Sequence, residues 1–439
     1  MQVKTKCNMS QDIKPTHYLL QSVKTGQQFS DQGWTLDAPN EKEPSLIRTV
    51  YEEVQLEVKD ASLGLFRFDD WLPVTRFLEG SSAPITYKSE GLAKHLGLEN
   101  LYITFSGYWP EKGVNMRTCS FKETEAFAVG GRITPATKGV LVVASAGNTA
   151  RAFARVCSDN NIPLLLCVPE DNLDAMWFDE PINDSVKLVC TRKGSDYFDA
   201  IHLSNKVVTL PGYYAEGGAR NVARRDGMGT TTLSAVTTIG RIPDYYFQAI
   251  GSGTGAIAAW EAVDRLIVDG RYGNKQMKLM IAQNEPFLAV YNAWKADSRQ
   301  LLPLDDDEAR KQSEAIVAKV LANRFPPYPI PGGLYDCLKD SGGDVLKATN
   351  EEAMAAAELF EQLEGNDILS APAVATAALI AEAKAGRIPK DATVMLNITG
   401  GGEKHFKRNK EIIYKQPDHI FDINPGVEDI KKVLDQLFK

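Results

Sequence analysis

Cysteine is scarce in this sequence of 439 residues: six stand far apart, at 7, 119, 157, 167, 190 and 337, and no two form a C-x-x-C pair. That usage excludes a disulfide framework or a zinc knuckle and fits free thiols in a reducing cytoplasm. Long apolar runs are missing too. The most apolar stretches, at residues 140–144 and 162–168, fall well short of the ~18 residues a spanning helix needs. Residues 1–14 are polar and lack the apolar centre of a secretory leader. Nor is there an excess of positive charge. Lys and Arg number 49 against 57 Asp and Glu, for a net charge of -8. An acidic balance argues against a broad face for nucleic acid or for an anionic membrane, but leaves room for a small local anion site.

What is present is ordinary globular material, with 44% hydrophobic and 24% charged residues. Length suggests roughly two or three domains. The first ninety residues read as short elements, with a helix expected over 46–58. From about residue 100, strand runs that are apolar throughout alternate with helices, in two series separated near 212–240. Such runs indicate parallel sheets covered on both faces. The expectation is an α/β protein with two doubly wound parallel-sheet domains. Its expected parts are an N-terminal segment over 1–100 packed on the large domain, a small domain over 101–225, and a large domain over 226–439 with a C-terminal helix. Asp305-Asp306-Asp307 reads as the acidic start of a helix. Ile316, Val317, Val320 and Leu321 are expected to share one face of that helix.

Ligands in such sheets bind beyond the carboxyl ends of the strands. Three strand-to-turn junctions therefore matter. Gly251-Ser252-Gly253-Thr254-Gly255 precedes a helix, so its small residues can turn successive amides toward a phosphate. It lacks the lysine of a P-loop and the full G-x-G-x-x-G spacing, and a glycine turn with no ligand fits it as well. Ser145-Ala146-Gly147-Asn148-Thr149 is a helix cap or a carboxylate site. Thr399-Gly400-Gly401-Gly402 is a flexible turn, or presents a hydroxyl to a ring nitrogen. Apart from these, Lys122 opens a helix among Cys119, Phe121, Ala126 and Phe127. Apolar surroundings lower a lysine pKa, as amine–carbonyl chemistry requires.

In combination these motifs resemble the fold type II pyridoxal-phosphate enzymes, the tryptophan synthase β-subunit class, and within it the threonine synthase family. Further similar features are Thr25-Gly26-Gln27-Gln28-Phe29, Ser62-Leu63-Gly64-Leu65 and Thr118-Cys119-Ser120-Phe121-Lys122. The resemblance spans residues 18–402. Threonine synthases carry Asp-Arg after the lysine, where this chain has Glu123-Thr124. They carry Glu-Gly-x-Lys-Thr where it has Asp226-Gly227-Met228-Gly229-Thr230. The run from Arg117 to Val129 and the run Val168-Pro169-Glu170-Asp171-Asn172-Leu173-Asp174-Ala175 are instead similar to the cysteate synthase branch of methanogenic archaea.

The resemblance implies that pyridoxal 5'-phosphate sits in the cleft between the two domains, with Lys122 holding it as a Schiff base. Gly251, Ser252, Gly253, Thr254 and Gly255 would hold its phosphate, Asn148 its ring oxygen, and Thr399 would face its ring nitrogen. Ser145, Ala146, Gly147, Asn148 and Thr149 would hold the substrate carboxylate. Arg117 is a candidate for the substrate phosphate or the incoming sulfite, since a guanidinium matches such oxyanions; a surface arginine is the alternative. No metal is implied. The implied reaction joins O-phospho-L-serine and sulfite to give L-cysteate and phosphate, on a route to coenzyme M. Threonine synthesis, another β-replacement, or a non-catalytic ligand-binding role stay open. A homodimer or higher homo-oligomer is the expected assembly.

Overall fold

The computed structural model describes residues 15–134, 136–145 and 147–439; Ala146 lies outside them. Two parallel sheets organise the chain. The larger has six strands in the order Asp344–Ala348, Lys278–Asn284, Tyr245–Ala249, Thr393–Ile398, Asn100–Phe105 and Ile85–Lys88. All neighbours are parallel except the last pair, where the edge strand runs antiparallel. The smaller sheet runs Tyr213–Ala215, Val140–Ala144, Leu164–Pro169, Val186–Thr191 and His419–Phe421, all parallel. Helices cover both faces, so the central strands are buried along their whole length; Thr393–Ile398 and Leu164–Pro169 expose nothing. This is the α/β class read from the apolar runs.

Two strands depart from the expected division of the chain. Asn100–Phe105 pairs with Thr393–Ile398 and so belongs to the larger sheet rather than to the smaller one. The C-terminal strand His419–Phe421 closes the edge of the smaller sheet. The helix Val427–Leu437 follows it there, burying Ile430 and Leu434 in the cluster that contains Leu203 and Val207. Strand allegiance is set by long-range pairing, which a local apolar run does not encode.

Two further expectations are corrected. The segment expected as a helix over 46–58 holds a strand, Ile47–Tyr51. Its residues alternate between buried and accessible, and it pairs antiparallel with Tyr18–Ser22 in a small N-terminal sheet; period two won over period 3.6. The acidic triplet does start a helix, Asp306–Ala315, with Asp305 capping the amides of Asp307 and Glu308. That helix stops before Ile316. Asn350 Oδ1 accepts from the Val317 amide and Asn284 Oδ1 from the Ala318 amide, while Asn350 Nδ2 donates to the Ala315 carbonyl. Two asparagines, at the end of the strand Lys278–Asn284 and at the start of the helix Asn350–Glu364, thus take the groups that would have continued the helix, and Lys319–Leu321 forms a short 3-10 turn instead.

Candidate active site

Lys122 is the first residue of the helix Lys122–Arg132, whose body is buried between other helices. The loop before it is tied to the end of the strand Thr393–Ile398. The Phe121 amide donates to the Thr399 carbonyl at 2.9 Å, and the Gly401 amide donates to the Cys119 carbonyl at 3.0 Å. Ser120 and Gly400 form a bridge between them. A Cβ on Gly400 would lie 2.9 Å from the Cys119 carbonyl, so glycine there allows the close approach. Cys119 itself sits at φ 56, in the left-handed region that costs a non-glycine residue of order 1–3 kcal/mol. Its side chain is fully buried against Trp177 and Phe406, and burial pushes the thiol far above its ordinary range.

The glycine loop follows the strand Tyr245–Ala249 and leads into the helix Thr254–Asp269. Ser252 and Thr254 hydroxyls lie 2.8 Å apart, and the Thr254 amide donates to Ser252 Oγ. Gly253 has φ 76, and a Cβ there would come within 2.6 Å of Leu334. On the same helix, Ala258 packs with Phe121 and Met228, which brings the cradle's helix against the residue preceding Lys122. The third junction follows the strand Val140–Ala144 of the smaller sheet. Ser145 Oγ accepts from the Gly147 amide, and Asn148 opens the helix Asn148–Asp159. Asn148 Oδ1 accepts from Arg151 at 2.8 Å. Arg151 is buried over the Trp177 ring.

Val320 joins two of these loops. A Cβ on Gly147 would meet its side chain at 3.5 Å, and one on Gly251 would meet its carbonyl oxygen at 3.2 Å. The turn Lys319–Leu321 therefore lies across the space between the strand ends of the two sheets. Phe121, beside Lys122, meets the Thr399 carbonyl and Ala258 of the glycine loop's helix, while Val320 meets the glycine loop and the loop at Gly147.

The Arg117 guanidinium donates to Asp179 through Nε and Nη2, to Asp159 through Nη1 and to Glu180 through Nη2. Three carboxylates occupy the donors that an oxyanion would need. Burial alone would lower its pKa, but these carboxylates hold it above the ordinary value. Arg117 is thus engaged by its own chain's carboxylates, in line with the alternative of a surface arginine.

The sequence reading missed three charged neighbours of Lys122. Its Nζ lies 3.2 Å from Glu125 Oε2. Glu125 Oε1 accepts from Arg224 at 3.0 Å, and Arg224 also pairs with Glu216 at 2.5 Å. Burial lowers the Lys122 pKa, opposed by Glu125 and assisted by Arg224. Burial raises that of Glu216, opposed by Arg224. Glu125 stands three residues from Lys122 on one helix, a spacing that flags the pair. Arg224 and Glu216 carry no local signal.

The comparisons agree with this geometry. A family model described as pyridoxal-phosphate dependent enzyme matches residues 84–400. The chain is 47% identical to the cysteate synthase of Methanosarcina acetivorans, over 93% of this chain and 98% of that protein. It is 49% identical to the cysteate synthase of Methanocella paludicola, over 85% of this chain and 87% of that protein. The chain belongs to the cysteate synthase family of pyridoxal-phosphate dependent enzymes. Solved structures with the same fold include maize serine racemase, with a TM-score of 0.56 and 14% identity, covering 72% of this chain and 88% of that one. Threonine deaminase isoform 2 from Solanum lycopersicum follows, with a TM-score of 0.53 and 18% identity, covering 72% and 83%. The cofactor of the family is pyridoxal 5'-phosphate.

The residues present fit that group. Lys122 offers an amine whose pKa is lowered by burial, and the glycine loop forms a cradle that a Cβ at Gly251 or Gly253 would fill. Ser120 Oγ, two residues before the lysine, is buried and has no hydrogen-bond partner, leaving a donor to spare for a polar ligand. No helix among the described residues is long and apolar enough to cross a membrane.

Proposed function

We propose that this enzyme catalyses a β-replacement in which sulfite displaces the phosphate of O-phospho-L-serine to give L-cysteate and inorganic phosphate. The observation that carries the reading is the placement of Lys122. It is a largely buried lysine whose preceding residue, Phe121, donates its amide to the Thr399 carbonyl and packs against the helix that leaves the glycine loop. The family membership supports the same reading.

When bound, pyridoxal phosphate supplies an aldehyde and an electron-accepting ring. Lys122 would hold it through the amine. Amides of residues 251–255, with the Ser252 and Thr254 hydroxyls, would hold its phosphate at the start of a helix whose dipole favours an anion. Asn148 would bond the ring oxygen. Thr399 would face the ring nitrogen with a hydroxyl, which, unlike a carboxylate, fixes no proton there and so favours elimination and addition at Cβ. Ser145, Gly147, Asn148 and Thr149 would hold the substrate carboxylate, with Ala146 between them in the chain.

Lys122, freed as substrate binds, takes the proton from the substrate Cα. The Cβ–O bond breaks and its electron pair leaves with the phosphate. Sulfur of sulfite then bonds to Cβ, and Lys122 returns a proton to Cα. Val320 and its turn lie beside the Gly147 and Gly251 loops that would do this. The cytoplasm as location draws support from five free, buried cysteines among the described residues. A homodimer or larger homo-oligomer is what the class suggests.

The test is phosphate release from phosphoserine, with and without sulfite, and identification of the organic product by mass. Cysteate formed only with sulfite is the expected result. Threonine from phosphohomoserine and water, with no cysteate, would overturn the reading.

A further inference from the structure

Lys122 ends a chain of four alternating charges. Glu125, fully buried, lies between the lysine and Arg224; Arg224 lies between Glu125 and Glu216. The groups come from three elements: the helix Lys122–Arg132, the helix Val222–Ile239, and the residue after the strand Tyr213–Ala215. Burial is the main cause that raises the pKa of Tyr197, at the start of the helix Tyr197–Val207, which is also near enough to feel the charges of Arg224, Glu216 and Glu125. The guanidinium of Arg224 is taken up by two carboxylates and is not offered to an anion.

We infer that Glu125 is the positioning residue of Lys122: it holds the amine whenever the amine is free, and with Arg224 behind it sets the pH range in which that amine is neutral. The inference rests on the reading of Lys122 as the cofactor lysine. The chemistry involved is a single proton leaving an ammonium for solvent, which must precede any attack by the nitrogen lone pair. The Glu125 carboxylate favours the ammonium and Arg224 disfavours it. Their balance decides. Arg224 also pins the Glu125 carboxylate from the far side, so the carboxylate cannot swing away when the amine departs.

The two flanking groups act with opposite sign, which makes the test sharp. The full chain, freed of cofactor and checked for folding by circular dichroism, is labelled with acetic anhydride over a range of pH. Labelling of Lys122 is read by mass spectrometry against Lys311, an exposed lysine in the same chain. Glu125→Gln should move the midpoint down, with labelling at pH 8 rising about threefold for each half-unit shift. Arg224→Gln should move it up and slow the labelling, and Glu125→Asp should return it toward the parent value. The visible absorbance of the loaded protein should show the same order of midpoints. Midpoints unmoved in both Gln variants, or moved in the same direction, would overturn the inference. A Lys122→Ala protein that keeps the parent absorbance would overturn instead the reading on which it rests. Should Glu125→Gln fail to fold, Arg224→Gln decides: a midpoint that stays at the parent value or moves down would overturn the inference.

Discussion

Arg324 donates to Asp196 Oδ2 at 2.8 Å. The other oxygen of the same carboxylate caps the helix Tyr197–Val207 through the amides of Phe198 and Asp199. One side chain thus starts a helix of the smaller sheet and also holds the strap that carries Val320. Arg310 approaches the same oxygen at 3.4 Å. Asparagine keeps the cap and loses the charge. Asp196→Asn should therefore cost less than about 1 kcal/mol of stability, as partly exposed pairs do. Tryptic cleavage at Arg310, Lys311, Lys319 and Arg324 should rise several-fold, read by gel or mass spectrometry. Unchanged cleavage would mean that the strap is held elsewhere.

Arg117 is a brace between three acids, and its removal leaves Asp179, only 6% exposed, without its main partner. Breaking such a pair costs about 3–5 kcal/mol when fully buried and less here. Arg117→Ala should lower the denaturant midpoint by an amount near 2 kcal/mol (about half that range), while the KM values of the folded enzyme for phosphoserine and sulfite stay within about twofold of the parent, since a change under 0.5 kcal/mol is under about 2.3-fold. A large rise in either KM would restore Arg117 to the site.

Glu123 is buried beside Lys122 and accepts from the amide and the hydroxyl of Thr118. Burial raises its pKa from 4.5 to about 7, although the Thr118 bonds oppose this. Its carboxyl is therefore protonated in the folded chain where the unfolded chain has already lost the proton. Stability from this group is complete below pH 4.5 and falls as pH rises to about 7, by at most about 1.4 kcal/mol per pH unit. Glu123→Gln keeps an acceptor for both bonds and should remove that slope. Unfolding curves at several pH values across the window measure it.

Gly253→Ala places a Cβ 2.6 Å from Leu334 at a φ of 76. Strain of about 1–3 kcal/mol is expected, and it falls on the loop that would hold the cofactor phosphate. Equilibrium dialysis should show cofactor binding weakened about tenfold or more, the equivalent of 1.4 kcal/mol. Equal affinity would remove the loop from the cofactor site.

Much of this architecture could be read locally. Apolar runs such as residues 164–168 can only be strands covered on both sides, and small residues directly after them mark the loops where ligands gather. Lys122 stood out because apolar residues flank it in sequence, and its Nζ lies over the ring of one of them, Phe121. Other features depend on partners far along the chain. Arg117 looked free because Asp159, Asp179 and Glu180 lie 42 to 63 residues away. Arg224 meets Glu125 across 99 residues. The apolar face expected in 316–321 dissolved because Asn284 and Asn350 captured the backbone there. Packing overrode propensity at each of these points.

The edge strand His419–Phe421 gives the smaller sheet a debt to the far end of the chain. During synthesis, residues 140–215 emerge first with one flank of Val186–Thr191 bare, and some two hundred residues must follow before its partner arrives. An unpaired parallel edge invites pairing with other chains. Growth from the ribosome thus leaves this half open to intermolecular capture until translation is nearly finished, so the yield of folded enzyme should depend on chaperone supply more than on the strength of either core.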